Sequence, residues 1–126
     1  MSFSSIFENR VLTWVFTASS ATRPTSWHVA LFTTNPGDPD SGTEVSGGGY
    51  ASQTATFTVT GSAATNAAAL EYPVATAPYG TVTHVGIYDA STGGNLIAYA
   101  ALTSSKSIDT GDVLRIPAGD LDITLD

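Results

Sequence analysis

The sequence contains no cysteine, only two histidines, and only four lysine and arginine residues among its 126 positions. The missing thiols exclude a disulfide framework and any zinc site built on cysteine. The shortage of histidine removes the side chain that most often acts as a general acid or base near neutral pH. These absences argue against an enzyme. They favour a structural protein, whose function depends on its fold and on the surface that it presents.

Positive charge is scarce: eleven acidic residues against four basic ones give a net charge of −7. Such a chain cannot displace counterions along a phosphate backbone, so we expect no nucleic-acid partner. The same charge disfavours an anionic membrane surface, and no apolar run approaches the roughly 20 residues of a spanning helix. Residues 1–16 have no basic stretch and do not resemble a secretory signal, so we expect synthesis and first use in a cytoplasm.

The chain is rich in glycine and in short segments of Thr, Val, Ala and Tyr. Its length predicts one domain, and an apolar content of 42% is enough to build one core. Charged residues make up only 12%, about half the usual share. A surface with so little charge is typical of chains that pack into a larger assembly.

The sequence predicts one helix, at residues 1–18. Ser5 and Glu8 have the spacing of a capping box, in which each side chain bonds the backbone N–H of the other. Phe7, Val11 and Trp14 then recur on one face, which we expect to pack against the rest of the domain.

Further apolar residues extend this helix around most of its circumference, namely Ile6, Leu12, Val15 and Phe16. A helix that is apolar on all sides must be buried on more than one side. Two interpretations remain open: the helix only caps a sheet of its own domain, or it also faces another subunit. In the second case Ile6, Val15 and Phe16 contribute to a partner interface.

From residue 27 onward the patterns are those of β-strands. The predicted strands are residues 27–32, 50–60, 67–75, 82–89, 96–102, 113–116 and 121–125. Clean period-2 alternation with one polar face indicates antiparallel pairing. About seven strands with turn signals every ten residues or so predict a mainly β fold, an antiparallel β-sandwich or jelly roll. We expect residues 1–18 to form a helix packed on a single β-sandwich domain of residues 19–126.

Candidate metal ligands are few. His28 and His84 lie inside predicted strands without the spacing of a ligand pair, so ordinary half-buried histidines are expected. Asp38, Asp40 and Glu44 alternate in a glycine-rich loop that has the chemistry to coordinate calcium. The loop lacks the EF-hand pattern, so a solvated loop is favoured and no metal or cofactor is expected.

Other catalytic patterns are missing as well. The three glycines at 47–49 precede Tyr50 with no lysine and no helix start, which is unlike a phosphate-binding loop. No serine lies in a nucleophile elbow, and the acidic residues fall mostly in turns rather than in a cleft suited to glycoside hydrolysis. We therefore expect no catalytic residues.

Four segments together resemble a known family. They are residues 31–38, 42–53, 79–89 and 118–123, and the string Glu-Val-Ser-Gly-Gly-Gly-Tyr-Ala at 44–51 is the most specific. The chain resembles small virion proteins of tailed phages, variously called tail fibre, minor tail or capsid decoration proteins. The resemblance implies a non-enzymatic structural protein of the virion that is assembled in the host cytoplasm.

Three functions are then compared. A trimeric cement or decoration protein, bound to the major capsid protein or other virion proteins, is favoured because the chain is short and has no coiled-coil or collagen-like shaft. It also lacks an aromatic-rich loop that could stack on sugars. The alternative is a tail-fibre or tail-tip protein that contacts the host. The third is a carbohydrate-binding β module.

The C-terminal segment is acidic. It has five aspartates against Arg115 and no lysine, namely Asp109, Asp112, Asp120, Asp122 and Asp126. If this segment meets the shell, the partner should offer basic residues, and attachment should weaken with salt. We expect Asp109, Asp112, Asp120 and Asp122 to join the helix residues in the partner interface.

Overall fold

A computed structural model describes residues 1–37 and 41–125 of the chain. Over these residues the protein is mainly β with antiparallel sheets and one helix near the N-terminus, which confirms the predicted fold class. The elements are β1 (Ser2–Phe3), α1 (Ser5–Phe16), β2 (Trp27–Phe32), β3 (Gln53–Ala55), β4 (Phe57–Thr60), β5 (Ala63–Asn66), β6 (Leu70–Glu71), β7 (Gly80–Tyr88), β8 (Leu96–Ile108), β9 (Arg115–Ile116) and β10 (Asp122–Thr124).

The described strands form three sheets. The largest has five strands in the order β1-β8-β7-β2-β3, and the others have the orders β10-β5-β4 and β6-β9. Side chains alternate along β2, so Val29 and Leu31 lie on the same face of the large sheet. On that face they are paired with Ile87 and Val85 of β7. These residues belong to one buried cluster that also includes Leu70, Ile116 and Leu121, so the large sheet and the two-stranded sheet share a core.

The strands between residues 50 and 75 differ from the prediction, and of the predicted strand 67–75 only β6 (Leu70–Glu71) is formed. The pattern over 50–60 predicts one strand, but β3 pairs with β2 whereas β4 pairs with β5 in another sheet. Alternation indicates which face of a strand is buried, but it does not indicate which neighbouring strand the strand pairs with. Strand β5 is absent from the prediction because Ala and Asn are poor strand formers.

Strand β8 continues to Ile108, six residues beyond the predicted end at Leu102. Residues 103–107 are all exposed and have the polar sequence Thr-Ser-Ser-Lys-Ser, so they give no alternating apolar signal. In this stretch β8 still pairs with β7, through Lys106 and Ile108, whereas β1 covers only Ala98 and Tyr99 on the other side.

Three tyrosines, Tyr50, Tyr72 and Tyr79, form a cluster of rings beside the large sheet. The Tyr50 ring stacks on that of Tyr72 with centroids 6.3 Å apart, and it meets the Tyr79 ring edge to face at 5.7 Å. The Tyr72 hydroxyl donates to the Val29 carbonyl at 2.9 Å, and that of Tyr79 donates to the Pro73 carbonyl at 2.8 Å. The cluster thus fastens the segment around residues 72–79 to β2.

Tyr50 also fastens the glycine-rich loop. Its Oη accepts a hydrogen bond from the Leu31 N–H at 2.9 Å and donates to Glu44 Oε2 at 2.8 Å. The backbone of Val45 donates to the Leu31 carbonyl, which fixes the same loop along β2. The loop over 41–49 is therefore tied to the sheet edge through both main-chain and side-chain bonds.

Alkaline pH is expected to destabilise the fold through this cluster. Burial, the largest cause, raises the pKa of both Tyr50 and Tyr72 above the ordinary value of 10.0. Unfolded tyrosines lose their protons near pH 10 while the folded ones keep them, so stability is complete below about pH 10 and falls above it. Urea denaturation from about pH 8 to about pH 11 should show this decline. Equal stability across that range would contradict it, and Tyr72→Phe should make the decline shallower.

Candidate functional site

The helix is attached to the large sheet through its N-cap residue, which precedes Ser5. Ser4 is the N-cap, with its Oγ accepting from the Phe7 N–H at 3.4 Å and donating to the Leu96 carbonyl. The Ser4 N–H donates to the Ile97 carbonyl at 2.8 Å. The predicted capping box at Ser5 is therefore off by one residue, because Ser4 is held by β8 and supplies the cap.

Phe7 is the buried residue of α1 and packs into the core. The Arg10 guanidinium covers its ring at 4.6 Å from the centroid, and Val11 is half-buried. The expectation that Trp14 lies against the domain is wrong, since 68% of its surface is exposed. The helix contacts β8, and hydrogen bonds from Ser4 hold the N-terminal end of the helix there. Trp14 lies about two turns beyond Phe7 along the helix.

Five large apolar side chains of α1 are exposed and are called here the helix surface. They are Ile6, Leu12, Trp14, Val15 and Phe16, with exposed fractions from 46% for Ile6 to 78% for Phe16. At about 100° per residue, Ile6 and Val15 point to opposite sides of the helix. Exposed apolar patches of this kind mark interaction sites, and a helix of 12 residues is marginal in water unless another surface packs on it.

An apolar groove extends the helix surface. It has a volume of about 240 Å³ and lies between the helix and residues 21–24. On the helix side it is lined by Phe7, Arg10, Val11 and Trp14. The exposed ring of Trp14 therefore belongs both to the groove and to the helix surface, which makes the two one continuous apolar area.

The four aspartates predicted for the interface fall into two places. Asp109 and Asp112 form the turn after β8, where the Asp112 Oδ2 accepts from the Asp109 N–H at 2.9 Å. Asp120 and Asp122 are exposed and line a depression with Lys106 and Arg115 among its other residues. The first pair has a local structural role, and the second pair lines the same depression as two basic residues. Their part in a partner interface stays a prediction. Asp126 lies outside the described residues.

Both histidines are half-buried, as expected. His28 Nε2 lies 3.1 Å from Ser26 Oγ, and His84 Nδ1 lies 2.8 Å from Thr83 Oγ1. In the part of the chain that the structure describes, no group of three or more His, Asp or Glu side chains could hold a metal ion.

Asp38 and Asp40, the residues weighed and set aside as calcium ligands, lie outside the described residues. Glu44 is described, and its carboxylate accepts a hydrogen bond from the Tyr50 hydroxyl. No helix among residues 1–37 and 41–125 is long and apolar enough to cross a membrane.

A cleft lies on the outer face of the large sheet, opposite the core. Its floor is the stacked pair Phe32 and Tyr88, whose centroids are 6.2 Å apart with ring planes at 18°. Gly86, between them on the sheet, leaves the space for this arrangement. A Cβ there would lie 2.9 Å from the Phe32 ring and 3.1 Å from Leu96 Cδ1, so alanine does not fit without displacement of the ring.

Loops on two sides wall this cleft, which has a volume of about 360 Å³. Residues 90–94 form one wall, Gly42 and Glu44 the other, and His28 and Ser52 complete the lining. Sequence reasoning missed this site because its aromatic floor comes from strands far apart in the chain. The available signal was Gly86, since a glycine inside a strand marks a close approach of other groups.

The chain was compared with known protein families and with curated proteins. A family model described as podophage GP4 fiber I protein gp80 matches residues 2–124, which include α1 and all the described strands. No curated protein matches the chain.

Proposed function

The chain belongs to the podophage GP4 fiber I protein gp80 family and is a phage virion protein, and we propose that it is a non-enzymatic fibre component of the particle. The observation that supports this proposal is the family match, which spans nearly the whole chain rather than one motif. The absence of cysteine and the scarcity of histidine, lysine and arginine support the non-enzymatic part of the proposal.

The fibre alternative fits this family better than the capsid cement interpretation does. The cement interpretation relied on the absence of a shaft sequence. A fibre can, however, be assembled from several chains, and a small β domain then supplies one part while another protein supplies the shaft. A short chain without a coiled coil is therefore compatible with a fibre.

We also propose that the helix surface is covered by further copies of this chain in a cyclic homo-oligomer, which we expect to be a trimer. Charge supports self-association at this place. Residues 1–18 contain Glu8 and Arg10 and are neutral overall, so the full net charge of −7 resides in the remainder. Copies that meet through their helices therefore avoid the repulsion that contact between two acidic β domains would create.

The location on the virion is tested by copy number and labelling. Quantitative mass spectrometry of purified particles should find far fewer copies than of the major capsid protein. Antibody labelling in electron micrographs should mark the tail rather than the shell. A copy number close to that of the capsid subunit, with label over the whole shell, would contradict the fibre proposal and support a cement protein.

A further inference from the structure

We propose that the cleft on the outer face of the large sheet binds a single neutral sugar unit. The inference rests on the proposed fibre function in one respect, namely that the β domain is presented outward from the virion. The binding itself is argued from the lining of the cleft and can be measured on the isolated chain.

The lining of the cleft includes the aromatic side chains that a sugar ring can contact. One side of a pyranose is a patch of C–H groups, while its rim consists of hydroxyls, so it suits a flat aromatic face surrounded by polar partners. Phe32 is almost fully buried, and its ring supports that of Tyr88 at nearly parallel orientation. Tyr88 is only half-buried and lines the open cleft.

The rim offers hydrogen-bonding groups of both kinds. Ser52, Ser91 and Thr92 have hydroxyls that donate and accept, and His28 has a ring nitrogen pair. Glu44 lines the cleft as well, and the Tyr50 hydroxyl occupies one of its several acceptor positions. A carboxylate that accepts from sugar hydroxyls makes charge-assisted bonds, which are the stronger kind.

The charge of the lining selects a neutral ligand. Among the described residues, no lysine or arginine lines the cleft, whereas Glu44 does. Phosphate groups and acidic sugars therefore meet a negative charge without a positive one to offset it. The volume of about 360 Å³ lies near the lower end of ligand pockets, roughly 300–1,000 Å³, which suits one sugar unit rather than a chain.

The walls are held in place before any ligand arrives. The Asp89 carboxylate accepts from the Asn95 N–H at 2.7 Å and from its side-chain amide at 3.3 Å, which closes the loop over 90–94. Gly94 and Gly42 pack so closely that an added Cβ would lie 2.7 Å from Ala90 N and 2.5 Å from Pro36 Cα, respectively. A preorganised site loses little conformational entropy on binding.

Saturation-transfer difference NMR on the full chain tests the proposal, with the methyl glycosides of glucose, galactose, mannose and N-acetylglucosamine as probes. At least one should give signals, strongest for the C–H protons of the sugar ring. Tyr88→Leu keeps an apolar side chain but removes the aromatic face, and Glu44→Gln removes the charge. Each is expected to weaken binding at least about tenfold.

Tyr99→Leu is the matched control, because Tyr99 pairs with Gly86 on the same face of the sheet but does not line the cleft. It should bind like the original chain. Absence of signal with all four glycosides on folded protein would overturn the proposal, and so would equal binding by Tyr88→Leu and Tyr99→Leu. Either result leaves copy number and labelling on the virion unchanged, so failure of the cleft is distinguishable from failure of the fibre proposal.

Discussion

Replacement of Tyr72 by alanine is expected to lower the free energy of unfolding by about 3–5 kcal/mol, a large part of the total stability of a domain this size. Tyr72 has 1% of its surface exposed and is among the largest fully buried side chains. The change leaves a cavity beside Tyr50, whose ring stacks on it, and leaves the Val29 carbonyl without its partner.

Urea denaturation measures this effect, and two further variants separate its causes. Tyr72→Phe keeps the ring and removes only the hydrogen bond to Val29, so a loss of about 1–2 kcal/mol is expected. Val74→Ala changes an exposed side chain two residues away and should alter stability by less than about 0.5 kcal/mol. If Tyr72→Ala were no more destabilising than Val74→Ala, the tyrosine cluster would not be the structural centre described above.

The double variant Trp14→Glu, Phe16→Glu is expected to convert the oligomer to a monomer without loss of the fold. Both side chains are more than two-thirds exposed in a single chain, so their replacement leaves the core untouched. In an assembly centred on the helices, the same substitutions would bury two unpaired charges per copy, each costing several kcal/mol. Light scattering after size-exclusion chromatography should report the change in mass.

The matched control for this experiment is Val59→Glu, at an equally exposed apolar position on β4. It should remain an oligomer with an unchanged circular dichroism spectrum. A wild-type chain that is monomeric at every concentration would count against self-association. So would a double variant that keeps the oligomeric mass.

The sequence predicts the helix well and its packing less well. Periodicity identifies the apolar positions, and Ile6, Val15 and Phe16 are exposed in the single chain. Their contact with a partner stays a prediction. The same periodicity assigns Trp14 to the face of Phe7, which is correct for direction. It does not indicate that the helix is held at Ser4 by the first residues of β8, because that contact joins positions about ninety residues apart in the chain.

For the strands as well, the sequence predicts local features better than long-range contacts. Residues 27–32 place Trp27, Val29 and Leu31 on one face and form β2 with the predicted bounds. The cleft could not be predicted in this way, because aromatic loops were the expected signal for sugar contact. The structure instead provides its aromatic face from β2 and β7, and the pairing of His28 with Tyr88 is a long-range register that no local pattern encodes.

The polar end of β8 affects whether neighbouring copies of the chain associate through their sheet edges. Beyond Tyr99 this strand has β7 on one side and no described strand on the other, so a row of main-chain donors and acceptors faces outward. An apolar edge of this kind would recruit strands from neighbouring molecules and seed amyloid-like stacking. Here the exposed run contains Lys106 among serines, and the pairing of β8 with β7 on its other side shifts register between Val82 and His84, which distorts the strand. Copies held close together on one particle are thereby discouraged from joining edge to edge into a continuous, insoluble sheet.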